Sequence, residues 1–161
     1  MKKTIVILIL VVFVASIAIV NLFGLQPTIH DGTIYVTEIK CETITLLNGE
    51  NKEIQPFAHN EEGAPIFIFK FEKPSATENL NVVQLNIEVL PNNANEKGYT
   101  FEYDDEAYSG ELVYNAERGA FVVLVPYSIF YITIRAKDGS NTTTKVGFVG
   151  FEAEIYDEIF K

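Results

Sequence analysis

A long apolar run near the N-terminus divides this chain into two parts of different character. After Lys2 and Lys3, no formally charged residue appears until Asp31. Residues 4–25 are mostly Ile, Val, Leu, Phe and Ala. As a helix that rises about 1.5 Å per residue, this run is long enough for a bilayer core of about 30 Å. The run therefore predicts one N-terminal transmembrane helix that acts as an anchor.

The basic residues predict the orientation of this helix. Both lysines of residues 1–3 precede the run, and the next Lys or Arg is Lys40. Because cytoplasmic flanks carry the excess of Lys and Arg, the N-terminus is expected in the cytoplasm. Residues 1–3 are then a cytoplasmic tip, residues 26–32 a short stalk, and residues 33–161 an extracytoplasmic domain of a single-pass cell-membrane protein.

Two other interpretations of the apolar run stay open. A cleaved signal peptide needs a small-x-small site, and residues 16–18 fit that pattern. Cleavage there gives a secreted domain, but it leaves the apolar residues 19–25 as a new N-terminus, which favours an uncleaved anchor. Prepilins resemble this arrangement, yet their processing-site Gly and early Glu do not stand in residues 2–8.

The part after the anchor is strongly acidic. Without Lys2 and Lys3, ten basic residues face 22 acidic ones, so its net charge is about −12. Nucleic acids and anionic headgroups are repelled by such a surface. Its length suits one domain with one core, and the lone Cys41 allows no internal disulfide. We therefore expect a fold that depends on apolar packing, with Cys41 as a buried small hydrophobe.

Apolar residues in this part repeat at period two, which is typical of strands with one wet face. The clearest case is residues 83–89, where Val83, Leu85, Ile87 and Val89 alternate with polar residues. The other alternating sets are Phe67, Phe69 and Phe71; Tyr99, Phe101 and Tyr103; and Phe130, Ile132, Ile134 and Ala136.

Turn sequences separate these strands at intervals of about ten residues. They are Asn48-Gly49, Glu62 to Pro65, Pro91 to Asn95, Asn115 to Gly119, and Asp138 to Asn141. Short strands with polar turns and no helical crossovers predict an all-β fold. We expect an antiparallel β-sandwich of about seven to nine strands.

Three stretches are similar to one known family. Residues 85–101 run from a strand through Pro91-Asn92-Asn93-Ala94 and a Lys-containing turn into a second strand, Tyr99-Thr100-Phe101. Residues 132–146 form a hairpin that begins with Ile-Thr-Ile, and residues 43–50 end in Asn-Gly-Glu. Over about residues 33–151 the chain resembles group 2 bacterial immunoglobulin-like domains, with Phe101 in the place of their Trp. The resemblance implies an immunoglobulin-like sandwich that serves an envelope as a spacer, adhesin or assembly part.

Residues suited to chemistry are sparse. His30 and His59 are the two histidines, and neither has a Cys or a second His at ligand spacing. The acidic residues Asp104, Asp105 and Glu106 offer oxygen ligands that Ca²⁺ prefers, but the Asp-x-Asp-x-Asp-Gly pattern is missing. We expect no catalytic residues and no cofactor, and a solvated acidic turn at these weak metal candidates.

Two apolar segments raise questions of packing. Residues 65–71 are apolar on both faces, so they form either a central strand or an edge that pairs with another chain. Near the C-terminus, Ile155, Ile159 and Phe160 stand among acidic residues. They either pack on the domain or form a tip that binds a partner.

The sequence therefore predicts a non-enzymatic binding or adhesion module of a bacterial envelope, anchored by residues 4–25. Its expected partners are the membrane, through the anchor, and an envelope protein or glycan, but not nucleic acid. The alternative function is a structural subunit of an envelope assembly, such as a pilin-like or secretion component, that uses the apolar N-terminal helix.

Overall fold

A computed structural model describes residues 32–48, 51–73 and 81–160 of this chain. It contains ten strands and one short helix in the compact unit that begins at Ile34. The strands are β1 (Glu38–Leu46), β2 (Lys52–Ile54), β3 (Ala58–His59), β4 (Pro65–Phe71), β5 (Val82–Leu90), β6 (Tyr99–Glu102), β7 (Leu112–Asn115), β8 (Ala120–Val123), β9 (Ile129–Ala136) and β10 (Thr143–Glu152), and the helix is α1 (Ala153–Ile159).

The strands form two five-stranded sheets, one with the order β2-β1-β5-β8-β7 and the other with the order β3-β4-β10-β9-β6. We call them sheet 1 and sheet 2. Their buried side chains form one main core cluster drawn from both sheets. The prediction of an all-β fold is confirmed in that the described residues are mostly strands, and the two sheets with a shared core are compatible with the predicted sandwich.

Two details of the predicted sandwich were wrong. The described residues contain ten strands rather than seven to nine, because β2 and β3 have only three and two residues and carry no readable alternation. The sheets are also not entirely antiparallel, since β4 and β10 pair in parallel from Ile66↔Gly147 to Phe71↔Glu152. Along the chain, β5 to β9 lie between β4 and β10. No local turn sequence could therefore predict that these two strands pair in parallel.

The alternating strands behave as their sequences predict. In β9, Phe130, Ile132, Ile134 and Ala136 are all buried in the core, while the residues between them are partly exposed. In β5, Val83 and Leu85 are buried, and the strand pairs with β1 along its length. In β6, Phe101 packs against the core, but Tyr99 of the same alternating set is 37% exposed. Period-two alternation therefore located the inner faces of β5 and β9 correctly, and that of β6 only in part.

A β-bulge in β1 changes the phase of its buried face. Ile39 and Cys41 are buried, and so are Ile44 and Leu46. In a regular strand, residues on one face are an even number of positions apart, but Cys41 and Ile44 are three apart. The pairing with β5 shifts between Cys41 and Thr43, so one extra residue is accommodated there. Without this bulge, one half of β1 would turn its apolar side chains to solvent.

The aromatic side chain of Phe121 joins the two sheets. It lies in β8 of sheet 1 and is fully buried, and its ring centroid is 5.2 Å from that of Phe101 and 5.9 Å from that of Phe148, both in sheet 2. Tyr103 and Tyr114 also contact it, at 5.6 and 5.0 Å. These contacts fill the core with aromatic rings in a chain that has no Trp.

The apolar strand β4 lies second from the edge of sheet 2. Phe67, Phe69 and Phe71 point into the core and are buried, whereas Ile66 and Ile68 are half-buried on the outer face. Beyond β4, the described residues provide only the pairs Ala58↔Ile66 and His59↔Pro65 with β3. The strand is therefore neither central nor a fully open edge.

Where the chain returns from β4 to β5, a buried asparagine joins the two strand ends. Asn81 is 1% exposed, and its side-chain amide accepts a hydrogen bond from Glu72 N at 2.8 Å and donates one to Glu72 O at 2.7 Å. The backbone carbonyl of Asn81 accepts from Val123 N. Because its polar atoms are satisfied, Asn81 is tolerated in the interior.

The predicted anchor, residues 4–25, lies outside the described residues, as do the cytoplasmic tip and most of the stalk. Among residues 32–48, 51–73 and 81–160, no helix combines the length and the apolar character that a bilayer crossing requires.

Two glycines of β10 make a matched test of this packing. A Cβ at Gly150 would point into the core, 2.9 Å from the buried ring of Phe69 and 3.1 Å from Cβ of Phe71. A Cβ at Gly147 would point to the outer face, where it would lie 2.8 Å from the ring of Tyr131. We expect Gly150→Ala to lower the free energy of unfolding by about 1–3 kcal/mol, as overpacking does. Gly147→Ala should cost less, because the half-exposed Tyr131 ring can tilt away. Denaturant titration measures both, and equal losses would contradict this account of the two faces.

Candidate functional site

The acidic residues that sequence analysis singled out lie in the turn after β6. Asp104, Asp105 and Glu106 are all exposed. The Asp104 carboxylate accepts a hydrogen bond from Ala107 N at 2.9 Å, and its carbonyl accepts one from Tyr108 N at 3.0 Å. Asp104 thus stabilises a turn of its own backbone, as Asp commonly does.

Neighbouring acidic side chains are engaged elsewhere. Partial burial, and then a hydrogen bond with Asp105, raise the pKa of Tyr103 above its ordinary value. Glu102 forms an ion pair with Arg135, with 3.0 Å between Oε2 and Nη2, and this bond lowers the pKa of Glu102. In the part of the chain that the structure describes, no three His, Cys, Asp or Glu side chains are grouped so as to hold a metal ion.

His59 and the acidic residues after it lie at the β3–β4 hairpin. The Asn60 side chain accepts hydrogen bonds from Glu62 N and Ala64 N, at 3.0 and 2.8 Å, and so orders the turn. Glu62 pairs with Lys145 of β10 at 3.1 Å. His30 lies outside the described residues. The hairpin is therefore explained by turn geometry and one exposed ion pair.

The entry of the chain into the domain is held by the loops at one end. Ile34 exchanges hydrogen bonds with Asn95 of the β5–β6 loop, at 2.6 and 3.0 Å. Val36 N donates to the carboxylate of Asp138 in the β9–β10 hairpin, and Val36 O accepts from the Thr142 hydroxyl at 2.8 Å. We call these contacts the entry clamp.

The clamp contains a titrating group with a perturbed pKa. Partial desolvation acts to raise the pKa of Asp138, but hydrogen bonds from Ser140 and from Val36 N outweigh it and hold that pKa below the ordinary value. The ionised carboxylate is therefore the form that the folded domain favours.

A row of aromatic rings crosses the outer face of sheet 2 at the C-terminal helix. The ring of Phe160 lies 5.2 Å from that of Phe57, 5.9 Å from Phe151 and 5.0 Å from Tyr156. Tyr127 extends the row, 5.6 Å from Phe151. We call these five residues the aromatic surface. Rings at such distances attract each other beyond the area they bury, so the row is a cohesive unit.

The helix α1 is attached through one side only. Phe160 packs against rings of the sheet, and Lys70 of β4 pairs with Asp157 at 2.8 Å. None of the helical residues is buried, and Ile155 and Ile159 are 37% and 59% exposed. Phe160 therefore packs on the domain, as one of the two alternatives for the tail predicts, while Ile155 and Ile159 remain exposed.

A groove of about 530 Å³ lies between α1 and the segment that contains β2. It is lined by Lys52, Glu53, Ile54, Gln55, Pro56, Phe57, Ile68, Tyr156, Ile159 and Phe160. We call this cleft the α1 groove. Phe57 is 64% exposed at its margin, so its apolar lining is open to solvent. Large apolar side chains that remain open to water in this way mark candidate binding sites.

Tyr127 carries backbone strain at the end of the aromatic surface. Its φ of +69° is in the left-handed region, which bulky residues rarely adopt. Tyr127 N donates to Gly150 O at 2.8 Å, and the hydroxyl donates to Glu152 at 3.3 Å, so the neighbouring strand holds it in place. The side chain remains 49% exposed. Strain of this kind is often retained where a side chain must be presented for function.

Sequence analysis missed most of this surface. It identified the isoleucines of the tail and Phe160, but it gave no role to Phe57 or Tyr127. The signals in the sequence that could have pointed to them are the prolines that directly precede both residues, Pro56 before Phe57 and Pro126 before Tyr127. Neither signal reveals that both rings approach the C-terminal helix.

Comparisons with known proteins identify no family for this chain. No protein-family model matches it, and no curated protein matches it either.

The buried thiol of Cys41 makes one test of the core. Burial raises its pKa to about 12, so only about 10⁻⁴ of it is thiolate at pH 8, and the thiolate is the reactive form. We expect negligible labelling by a thiol reagent in the folded protein and complete labelling in denaturant. A Val113→Cys variant in a Cys41→Ala background, with the thiol at an exposed position, is the control and should react at once. Native labelling of Cys41 at the rate of that control would contradict its burial.

Asp138 predicts a pH dependence of stability. Folding lowers the pKa of Asp138. The ionised carboxylate therefore adds to the free energy of unfolding at pH values above its ordinary pKa, and this contribution is lost as the pH falls through the pKa of the folded state. Asp138→Asn should therefore destabilise the domain most near neutral pH, and the difference from wild type should narrow below about pH 4. Denaturation curves between pH 2.5 and 7 measure this difference. Glu117→Gln, in an exposed turn, controls for net charge, and a gap for Asp138→Asn that widens in acid would refute the clamp.

Proposed function

We propose that this protein is a membrane-anchored, extracytoplasmic, immunoglobulin-like binding module of a bacterial envelope. It binds a protein or glycan partner through the aromatic surface and the α1 groove, and its role is binding rather than catalysis. The observation that carries the proposal is the exposed apolar character of this surface, with Phe57 64% and Ile159 59% exposed.

The strand order supports the immunoglobulin-like part of the proposal. In constant-type immunoglobulin domains, strands A, B, E and D form one sheet and C, F and G the other. If β1 and β5 to β10 are lettered A to G in chain order, sheet 1 contains A-B-E-D and sheet 2 contains G-F-C. The strands β2, β3 and β4 are then an insertion between A and B, and β4 extends the second sheet beside G.

The position of Phe101 is a further support. Immunoglobulin domains bury a Trp of strand C in the core, and β6 takes the place of strand C in this lettering. Phe101 lies in β6 and packs against Tyr114 and Phe121, with ring centroids 5.2 Å apart in both pairs. This packing against the core supports the proposal that Phe101 stands in the place of that Trp.

The anchor and the acidic charge support an extracytoplasmic location. Residues 4–25 have the length and composition of a transmembrane helix, with both flanking lysines on the N-terminal side. The net charge of about −12 after the anchor keeps a small exported domain soluble and disfavours nucleic acid.

The aromatic surface has the composition of an interface centre. Aromatic residues are enriched at the centres of protein–protein interfaces, where a few buried side chains usually supply most of the binding energy. Phe57 and Tyr127 are rigid side chains with few rotatable bonds, and their neighbours already hold them in place. A partner that covers them loses little side-chain entropy, which makes the site efficient for binding.

In-cell photo-cross-linking tests this function with the full-length chain. A photoreactive phenylalanine analogue is placed at Phe57 or Ile159, and the control position is Val113 of β7, which is 48% exposed in sheet 1. We expect a discrete adduct with another envelope component from the first two positions and none from Val113.

The other outcomes separate the alternatives. Equal adducts from all three positions, or none from Phe57 and Ile159, would refute the binding role of this surface. A ladder of adducts of the chain with itself would instead favour the structural subunit that assembles with its own copies.

A further inference from the structure

We infer that β4 accepts an extended segment of a partner protein as an added strand of sheet 2. The inference rests on the proposed binding function and adds how the partner is held, which is by backbone hydrogen bonds along a strand edge. It follows from the row of peptide groups that β4 turns away from β10 and from the position of the α1 groove beside them.

The two ends of β4 show which of its peptide groups face away from β10. At one end, Ile66 O accepts a hydrogen bond from Phe57 N at 2.9 Å. At the other end, Glu72 N and O are both bonded to the side-chain amide of Asn81, at 2.8 and 2.7 Å. Because successive residues of a strand direct their peptide groups to alternate sides, Ile66 and Glu72, six residues apart, agree in phase.

The peptide groups of Ile68 and Lys70 lie between these two ends in the same phase. Their backbone N–H and C=O groups therefore also point away from β10. In the part of the chain that the structure describes, no group is bonded to them on that side. A strand edge of this kind is a template for another strand. We call the edge of β4 from Phe67 to Phe71 the edge slot.

Both ends of the edge slot are closed by the chain itself. The pairing of β3 stops at Ile66, and the residue before Phe57 is Pro56, which has no N–H to extend a ladder. At the other end, the amide of Asn81 bonds Glu72 as the peptide group of a neighbouring strand would. Five residues at about 3.3 Å each leave about 17 Å between these ends. The slot therefore suits a short extended segment.

The α1 groove lies beside the edge slot. Its lining includes β2, the edge strand of sheet 1, then Ile68 of β4, and then Tyr156, Ile159 and Phe160 at α1. Both β2 and α1 contact β4, so a strand added to β4 enters the groove between them. One lysine and one glutamate stand in a mostly apolar lining, which therefore selects no charge. The added strand should present apolar side chains to α1.

A second copy of the chain fits the edge slot less well. If two β4 edges paired antiparallel about Phe69, Ile66 of one copy would lie opposite Glu72 of the other. The strand β3 that is bonded to that Ile66 already occupies this place, so the two copies would collide. An extended segment without a flanking strand meets no such obstacle.

A glycan or a lipid also fits the edge slot less well. The donors and acceptors of the row recur at every second residue, which is about 6.6 Å along a strand. The backbone of another strand has the same repeat and bonds every group of the row. Sugar hydroxyls and lipid chains have no such repeat. The hydrogen-bonding pattern therefore favours a protein segment.

Proline at position 68 blocks the edge slot without removing a bond to β10. The N–H of Ile68 points away from β10, and proline is tolerated at such edge positions. Phe67 is already in an extended strand, as a residue before proline prefers. The matched control is Tyr99→Pro in β6, the opposite edge strand of sheet 2. Lys137 N donates to Gly98 O, so the N–H of Tyr99 likewise points away from the neighbouring strand β9.

The experiment measures the yield of the Phe57 photo-adduct in the full-length chain in cells. We expect Ile68→Pro to lower the yield at least about tenfold, because a lost N–H leaves a carbonyl of the partner unpaired. The Tyr99→Pro control should keep its yield. The linked partner peptide should lack proline and carry apolar side chains at every second residue. Protection of the Cys41 thiol verifies the folding of both variants.

Hydrogen exchange provides a second measurement that needs no proline variant. It compares the unaltered domain in the free full-length chain with the chain cross-linked to its partner through position 57. We expect the amides of Ile68 and Lys70 to exchange rapidly in the free chain and at least about tenfold more slowly in the complex. The amide of Phe69, which points to β10, should be slow in both. Equally rapid exchange of Ile68 and Lys70 in the complex would show that side chains alone hold the partner.

Each remaining outcome overturns the inference. An adduct that survives Ile68→Pro in a folded chain, or one that Tyr99→Pro lowers equally, excludes strand addition at β4 while leaving the surface as a binding site. So does an adduct formed with a lipid, a glycan or a second copy. No adduct from the unaltered chain at Phe57 removes the proposed function itself, and the inference with it.

Discussion

The parallel pairing of β4 with β10 is the interaction on which the rest of this structure depends. It places Phe67 and Phe69 in the core on one side of sheet 2 and Ile68 and Lys70 on the other side. The second side is where α1 is attached, through Lys70 and the rings around Phe160. One strand pairing therefore completes the core and also builds the floor of the candidate binding site.

Close contact of β10 with its two neighbouring strands requires small residues in β10. At Gly150 the ring of Phe69 of β4 occupies the space that a side chain would fill, and at Gly147 the ring of Tyr131 of β9 does so. Lys145 lies over the other part of that tyrosine, 5.1 Å from the ring centroid. The glycines of β10 thus trade local strand propensity for the packing of aromatic rings on both faces, which is one established use of glycine in a sheet.

Most of the core-facing residues of the strands could be predicted from the sequence. In a strand with one buried face every second residue is apolar, so the alternation identifies the face that packs in the core. The strands β5 and β9 are examples. The bulge in β1 could not be predicted, since the alternation on either side of Glu42 is regular and only the phase changes. The strands β2 and β3 are too short to show a period.

The candidate site was predictable only in part, for a physical reason. Its members are distant in sequence and come together through the parallel pairing, which no turn or local motif specifies. Ile155, Ile159 and Phe160 attracted notice because apolar residues stand among acids there. Phe57 resembles any loop aromatic until Phe160 is placed beside it. The acidic turn at Asp104 to Glu106 was more conspicuous in the sequence, yet the carboxylates of Asp104 and Asp105 serve local backbone and side-chain contacts.

The entry clamp has a mechanical consequence. Ile34 and Val36 are bonded to two separate loops, through Asn95 on one side and Asp138 and Thr142 on the other. Tension applied to the chain before Ile34 is therefore divided among several hydrogen bonds to two loops before it reaches β1. The first strand stays in its sheet until those bonds break.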